Sequence, residues 1–224
     1  KKTALYAWHK THGGQMVEFA GWEMPVAYPR GILEEHLITR RYGGLFDISH
    51  MGRFLIRGKD AIPFMQYVLT NNAMALDPGM AHYTLVQNER GGALDDAYLY
   101  RLEEIDPSAE AQYLLVVNAG NTEKDWNWFL DHRKRFKGLV LEDKTDEIGM
   151  IALQGPHTKR ILEKIVLEDY SKLPDPWRNR LRVCALEGEH VYITISRTGY
   201  TGEPISFELF LPADRTVQIW EKIL

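Results

Sequence analysis

Two adjacent carboxylates, Asp95 and Asp96, follow a Gly91-Gly92 turn at the head of an alternating run, Ala93-Leu94-Asp95-Asp96-Ala97-Tyr98-Leu99-Tyr100. In a pleated strand Leu94, Asp96, Tyr98, Tyr100 and Leu102 share one face, and Asp95, Ala97, Leu99 and Arg101 the other. Asp96 then stands in a row otherwise apolar or aromatic. A carboxylate there has to be hydrogen-bonded, paired or turned to a pocket, because burying an unpaired charge costs several kcal/mol. The competing reading makes one Asp a turn cap and the other a solvated group. Asn118 closes an apolar run, Leu114-Leu115-Val116-Val117, where the chain turns toward a helix. Such a junction side chain either meets a ligand or shapes the turn. A third polar stretch, Ser196 to Glu203 followed by Pro204-Ile205-Ser206-Phe207-Glu208, sets Gly199 and Gly202 around Tyr200 with two acids after them. Glycines let the backbone approach a flat ligand, Tyr200 offers a stacking face, and Glu203 or Glu208 can take two parallel hydrogen bonds from an aminopyrimidine-like edge. The same residues also suit a plain structural loop, and the glycine spacing fits no phosphate or dinucleotide fingerprint. Asp47, Ser49 and His50 have the residue types of a catalytic triad, but a triad is a matter of spatial geometry, and turn and network hydrogen bonds are the commoner use.

The elements that must position these residues follow an order. Residues 5–18 lead into Phe19–Arg30, where Gly and Pro alternate with aromatics and regular structure is not expected. Gly31–Arg41 has apolar residues at 33, 37 and 38, a helical spacing stopped by Gly43-Gly44. Next come strand 53–57, helix 60–69, strands 82–87, 93–101 and 113–118, helix 122–136 with Thr122 as its cap, and strand 139–141: an α+β sandwich of the ferredoxin type with one extra strand. The second half replays the first. Ile151-Ala152-Leu153-Gln154-Gly155 echoes Phe54-Leu55-Ile56-Arg57-Gly58, each an apolar strand meeting glycine before a helix. In the later copy a helix spans 156–167, a hairpin 181–195 turns at Glu187-Gly188-Glu189, and strand 207–211 precedes helix 214–224. The pattern predicts a duplication and two α/β units whose cleft would suit a small molecule.

Composition removes several function classes. Of 224 residues, 45% are hydrophobic and 26% charged, an ordinary globular balance. A net charge of −4 with 27 Lys+Arg spread along the chain leaves no basic stripe for nucleic acid. No apolar run is long enough for a bilayer, and the Lys1-Lys2 start has no signal-peptide core. A single cysteine, Cys184, excludes an internal disulfide or a cysteine metal cluster, suits a reducing compartment, and reads as a small core residue.

Taken together, Met16–Pro25, Leu45–Gly52, Gly91–Asp96, Val116–Ala119, Ile151–Pro156 and Arg197–Glu203 resemble the T-protein family of the glycine cleavage system, the tetrahydrofolate-dependent aminomethyltransferases. The likeness runs through almost the whole chain. It implies two antiparallel α+β folate-binding subdomains, residues 1–52 with 142–224 and residues 53–141, with the family's β-rich C-terminal domain absent. It also implies transfer of an aminomethyl carbon from a lipoyl carrier, the H-protein, to tetrahydrofolate with release of ammonia and without a metal, in a bacterial cytoplasm or a mitochondrial matrix. By the resemblance Asp96 is the catalytic acid beside the reactive side of the folate in a water-poor pocket, and Tyr83, Asn118, Tyr200 and Glu208 contact folate, with Glu208 or Glu203 gripping the pterin's amino edge. One stretch departs from the family: Gly202-Glu203-Pro204-Ile205-Ser206-Phe207-Glu208 has one residue more than the usual pattern and no internal glycine. That opens the alternatives of a folate-dependent S- or O-demethylase, a folate module of a methylated-glycine dehydrogenase, or a folate-binding assembly or repair factor without turnover.

Overall fold

The computed structural model of the chain describes residues 1–103, 110–167, 173–174, 177–188 and 191–224. Its backbone divides into two units, one of Lys1–His50 with Asp146–Leu224, the other of Met51–Thr145. No helix among the described residues is long and apolar enough to cross a membrane.

The first unit opens with α1 (Tyr6–Thr11) and an antiparallel hairpin, β1 (Gln15–Phe19) and β2 (Trp22–Ala27). The sequence predicted irregular chain from Phe19 onward, and the hairpin corrects that. Ala20 and Gly21, at φ 51 and φ 82, make the tight reversal that suits the twist of two strands. Pro25 is tolerated because this sheet has two strands, so no third strand needs its missing N–H. Helix α2 (Ile32–Arg41) forms as its spacing predicts, but its apolar residues face outward: Leu33 is 73% exposed, and the buried residue is Thr39. Strand β3 (Gly44–Asp47) follows.

The second unit runs β4 (Gly52–Arg57), α3 (Ala61–Val68), β5 (Met80–Gln87), β6 (Ala93–Arg101), β7 (Gln112–Val117), α4 (Thr122–Arg133) and β8 (Val140–Asp143). Its sheet has the order β5-β6-β7-β4-β8, every neighbour antiparallel. Phe54, Ile56, Ala97, Leu99, Leu115 and Val117 pack under Phe64 and Met65 of α3 and Phe129 of α4.

The chain then returns to the first unit with β9 (Ile148–Gln154), a short α5 (Thr158–Leu162), β10 (Leu181–Ala185), β11 (Tyr192–Ser196), β12 (Ser206–Pro212) and α6 (Thr216–Ile223). Turn residue Glu189 lies outside the described residues. The sheet order is β10-β11-β12-β9-β3. Leu5, Ile151, Leu153, Ile193, Ile195, Phe207, Leu209, Ile219 and Trp220 form its core, with Cys184 fully buried among them.

One arrangement therefore occurs twice. A three-strand meander lies beside the strand that opens the helical crossover, and an edge strand completes the sheet. That edge strand follows in sequence in one unit (β8) and precedes in the other (β3). The junctions match in detail. After β7 a 3-10 turn, Ala119–Asn121, leads into α4, and after β12 a 3-10 turn, Ala213–Arg215, leads into α6. The first helical residues, Thr122 and Thr216, donate their hydroxyls to the carbonyls four residues back, Asn118 at 3.2 Å and Pro212 at 3.3 Å. A Cβ at Gly52 would strike Thr122, and one at Gly149 would strike Thr216.

Candidate functional site

The head of β6 turns Asp95 into the row of Ala97 and Leu99, toward the helices, where it is 5% exposed. Asp96 lies on the opposite face and is exposed. This corrects the expectation of Asp96 in a water-poor pocket. Alternation separates two neighbouring carboxylates, but which row the helices cover depends on tertiary packing.

Burial of Asp95 is offset by donors from the β7–α4 junction. The backbone N–H of Asn118 reaches Oδ2 at 2.9 Å, Asn118 Nδ2 reaches Oδ1 at 2.9 Å, and Asn121 Nδ2 reaches Oδ1 at 2.6 Å. Burial pushes the Asp95 carboxyl up, but these hydrogen bonds outweigh it and hold the group below the usual carboxylate range. Asn118 Nδ2 also donates to Asp96 Oδ1 at 2.8 Å and to its carbonyl at 3.1 Å. An amide has two N–H bonds, so these acceptors share them. The consequence is a fixed direction for the Asp96 side chain. The register Tyr83↔Tyr98 and Leu85↔Asp96 places Tyr83 on the same sheet face, 52% exposed, its ring 6.4 Å from that of Tyr98. Asp96, Asn118 and Tyr83 are thus brought together. Lys124 Nζ braces the junction, donating to the Leu94 carbonyl at 2.6 Å and to Asn121 Oδ1 at 2.8 Å. Thr122 does not cap α4 as expected. It is the first helical residue, and the position before it belongs to Asn121.

Asp125 escaped the sequence reading. Asp125 stands with Glu123 in the first turn of α4, where such charges usually face solvent near the positive end of the helix. In the fold it shares the core stripe of α4 with Phe129, four residues on, and both are 0% exposed. Burial first, then the hydrogen bond and the charge of Asp95, push its carboxyl up to about 8, against the opposing pull of Lys124. The one sequence signal was the i, i+4 spacing with an aromatic core residue.

The polar loop of the first unit is held from outside itself. Gln154, at the end of β9, accepts on Oε1 from the Tyr200 N–H at 3.4 Å, the Thr201 N–H at 3.3 Å and the Thr201 hydroxyl at 2.7 Å. Gly199 packs so closely on Ser206 and Gln154 that a Cβ would collide with both. Arg40 forms an ion pair with Glu203 and donates to the Thr201 carbonyl at 2.9 Å. Tyr200 is left 91% exposed. Glu208 is half-buried on β12, opposite Ser196 and Ala152, and accepts from the Thr198 hydroxyl. Glu203 is thus engaged by the Arg40 cation.

The triad reading fails on geometry. Asp47 accepts from Thr3 at 2.6 Å and from the Ser49 N–H at 2.9 Å, and it pairs with His9 Nε2 at 3.0 Å. The Ser49 hydroxyl is occupied by the Met150 backbone, as donor and acceptor at 3.0 Å. Burial raises the Asp47 carboxyl, but the bonds from His9, Thr3 and Ser49 bring it below its ordinary value. Tyr28, whose hydroxyl meets His9 Nδ1 at 2.6 Å, is pushed up to about 12 by its own burial and then by Asp47 and Glu35.

The chain is an α+β pair of repeated antiparallel sheets, one of which carries a buried acid, Asp95, next to an exposed one, Asp96. It belongs to the GCVT N-terminal domain family, which matches residues 5–224. It is 39% identical over 224 residues to an aminomethyltransferase of Chlorobium luteolum, covering 100% of this chain and 58% of that protein. To an aminomethyltransferase of Geobacillus thermodenitrificans it is 41% identical over 225 residues, with the same coverage. Among solved structures it is similar to glycine cleavage system aminomethyltransferase T from Bartonella henselae, with TM-score 0.84, 35% identity, all of this chain and 57% of that one. A likeness to the heterotetrameric sarcosine oxidase of Corynebacterium sp. U-96, TM-score 0.59 at 12% identity, concerns the fold alone. The chain thus spans less than three-fifths of the length of these aminomethyltransferases.

Proposed function

We propose that the chain carries the folate-handling part of an aminomethyltransferase, which takes the aminomethyl carbon from the lipoyl arm of the H-protein, passes it to tetrahydrofolate and releases ammonia. The observation that carries the reading is the Asn118 amide set on both Asp95 and Asp96, which fixes an exposed carboxylate beside an exposed tyrosine. Each unit by itself offers groups that suit a flat, reduced pteridine: Tyr83 a ring face in one, and in the other Tyr200 a ring face and Glu208 an acceptor for an amino edge. Bound tetrahydrofolate supplies the nitrogen nucleophile that takes up the carbon.

The chain's own groups have three tasks. Asp96 places negative charge where cationic character develops at the migrating carbon, and its hydrogen bonds mean little reorganisation is needed as that charge appears. Water leaves Asp96 as substrate settles on it, which strengthens the interaction. Tyr83 and Asn118 of Met51–Thr145 are given the task of orienting the folate at Asp96, and Tyr200 and Glu208 of the other unit remain the folate contacts that the family likeness implies. We assign the pterin contact to Glu208 over Glu203, because using Glu203 would require giving up its ion pair with Arg40.

The test uses the full-length protein with three donors: aminomethylated H-protein, a methylated thiol and a methylated phenol. Ammonia release and methylene-tetrahydrofolate formation from H-protein alone is the expected result. Transfer from the thiol or phenol instead would make it a demethylase, and tight folate binding with no transfer from any donor would make it a binding factor.

A further inference from the structure

The fold shows what the Asp125 position needs when no chemistry is asked of it. Matching Thr122 with Thr216 at the two helix starts brings Asp125, three residues on, over Ile219, which is 1% exposed in the other core. The strand registers carry the match to β6. Ala97 pairs with Val117 and Thr194 with Phe210, so Asp95 corresponds to Val191, which packs against the core containing Ile219. A hydrocarbon pair therefore does the same packing job in the repeat. In Met51–Thr145 the two places hold acids. Among the described residues no N–H or O–H donor reaches either oxygen of Asp125. Asp125 lies one helical turn beyond Asn121, whose amide reaches Asp95 at 2.6 Å, so two buried carboxylates meet at this junction and would repel unless a proton is held between them.

We propose that Asp125 is a positioning residue: as a neutral carboxylic acid it donates its O–H to Asp95, and Asp95, anchored in this way, holds the Asn118 amide that aims Asp96. This rests on the role of Asp96 given above. Direction along the chain of bonds is fixed at each link. Asp125 donates to Asp95, which also accepts from Asn118 and Asn121, and Asn118 donates on to Asp96. Phe129, four residues on from Asp125 along α4, is fully buried and packs edge-to-face on Phe64 of α3. The charged groups acting on Asp125 are Asp95 from the sheet and Lys124 from its own helix. Losing the Asp125 proton puts two like charges in contact and frees Asp95 to shift, carrying Asn118 with it.

Infrared difference spectra of the full-length protein with labelled aspartate read the proton directly. A protonated-carboxyl C=O band present at neutral pH, titrating away with a midpoint about 8, is expected in the wild type and absent from Asp125→Asn. Turnover should fall above that midpoint in the wild type. Asp125→Asn, which keeps a neutral donor that cannot ionise, should retain neutral-pH turnover without the alkaline fall. Asp125→Ile, copying Ile219, should lose about tenfold or more, the effect of removing a hydrogen bond to a charged group. A wild-type spectrum without the band, or an Asp125→Asn profile with the same alkaline fall, overturns the proposal. The spectrum needs no one-carbon donor. A band with no transfer from H-protein leaves the buried acid standing and removes only the aminomethyltransferase reading.

Discussion

The two units share a strand order and a strand-to-helix junction, yet they use the space beneath that junction in opposite ways. Around α6 it is filled by Val191 and Ile219; around α4 it holds Asp95 and Asp125. Hydrocarbon there is the cheaper solution for folding, since buried acids must be desolvated and then satisfied one bond at a time. Asp95 alone takes donors from Asn118 and Asn121. The polar chemistry of the other unit sits at a different place, the loop between β11 and β12, where Gln154 and Arg40 hold Tyr200 to Glu203. The repeat supplies a frame, and each copy breaks it at one end.

The contrast can be attacked first at the polar loop. Glu208→Ala should weaken tetrahydrofolate binding by about thirtyfold or more, as expected for losing charge-assisted hydrogen bonds. Glu203→Ala should change it little, because Glu203 is committed to its ion pair with Arg40. Calorimetric titration of both variants decides the assignment, and the reverse ranking transfers the pterin contact to Glu203. A double-mutant cycle then copies one unit into the other. Asp95→Val alone strips the Asn118 and Asn121 donors of their acceptor and should destabilise by about 3 kcal/mol. Adding Asp125→Ile should recover part of that, with a coupling of about 1–3 kcal/mol in denaturant unfolding. Additive losses would mean the two acids do not interact.

The smallest effect is on the pH dependence of stability. The folded state keeps the Asp125 proton up to about pH 8, while an unfolded aspartate releases it at about 4, so stability falls as pH rises across that window, by at most about 1.4 kcal/mol per unit. Asp95, held below its ordinary value, acts oppositely and only at the acid end, where stability is lost as pH drops through its folded pKa. Asp125→Asn should flatten the slope between about 4 and 8 and leave the acid limb.

Much of the frame was legible because its signals are local. Apolar runs such as Leu114–Val117 ended at turn formers, and the echo between residues 54–58 and 151–155 foretold the matching sheets. What was missed depended on packing. Strand alternation separated Asp95 from Asp96 without showing which faced the helices. Asp125 looked like an ordinary first-turn acid until Phe129 and the sheet enclosed it. The partner of Glu203, Arg40, lies 163 residues away, beyond the reach of any spacing rule. In the hairpin Gln15–Ala27, Gly21 and Pro25 read as breakers although one makes the turn and the other sits harmlessly in a two-stranded sheet.

The most direct measurement is single-turnover transfer from aminomethylated H-protein to saturating tetrahydrofolate by the full-length protein, wild type against Asp96→Asn. The substitution keeps the shape and the bond network but removes the charge. The rate should fall by about a hundredfold or more while folate affinity stays within about twofold, the pattern of a lost electrostatic stabiliser. An undiminished rate would contradict the role given to Asp96.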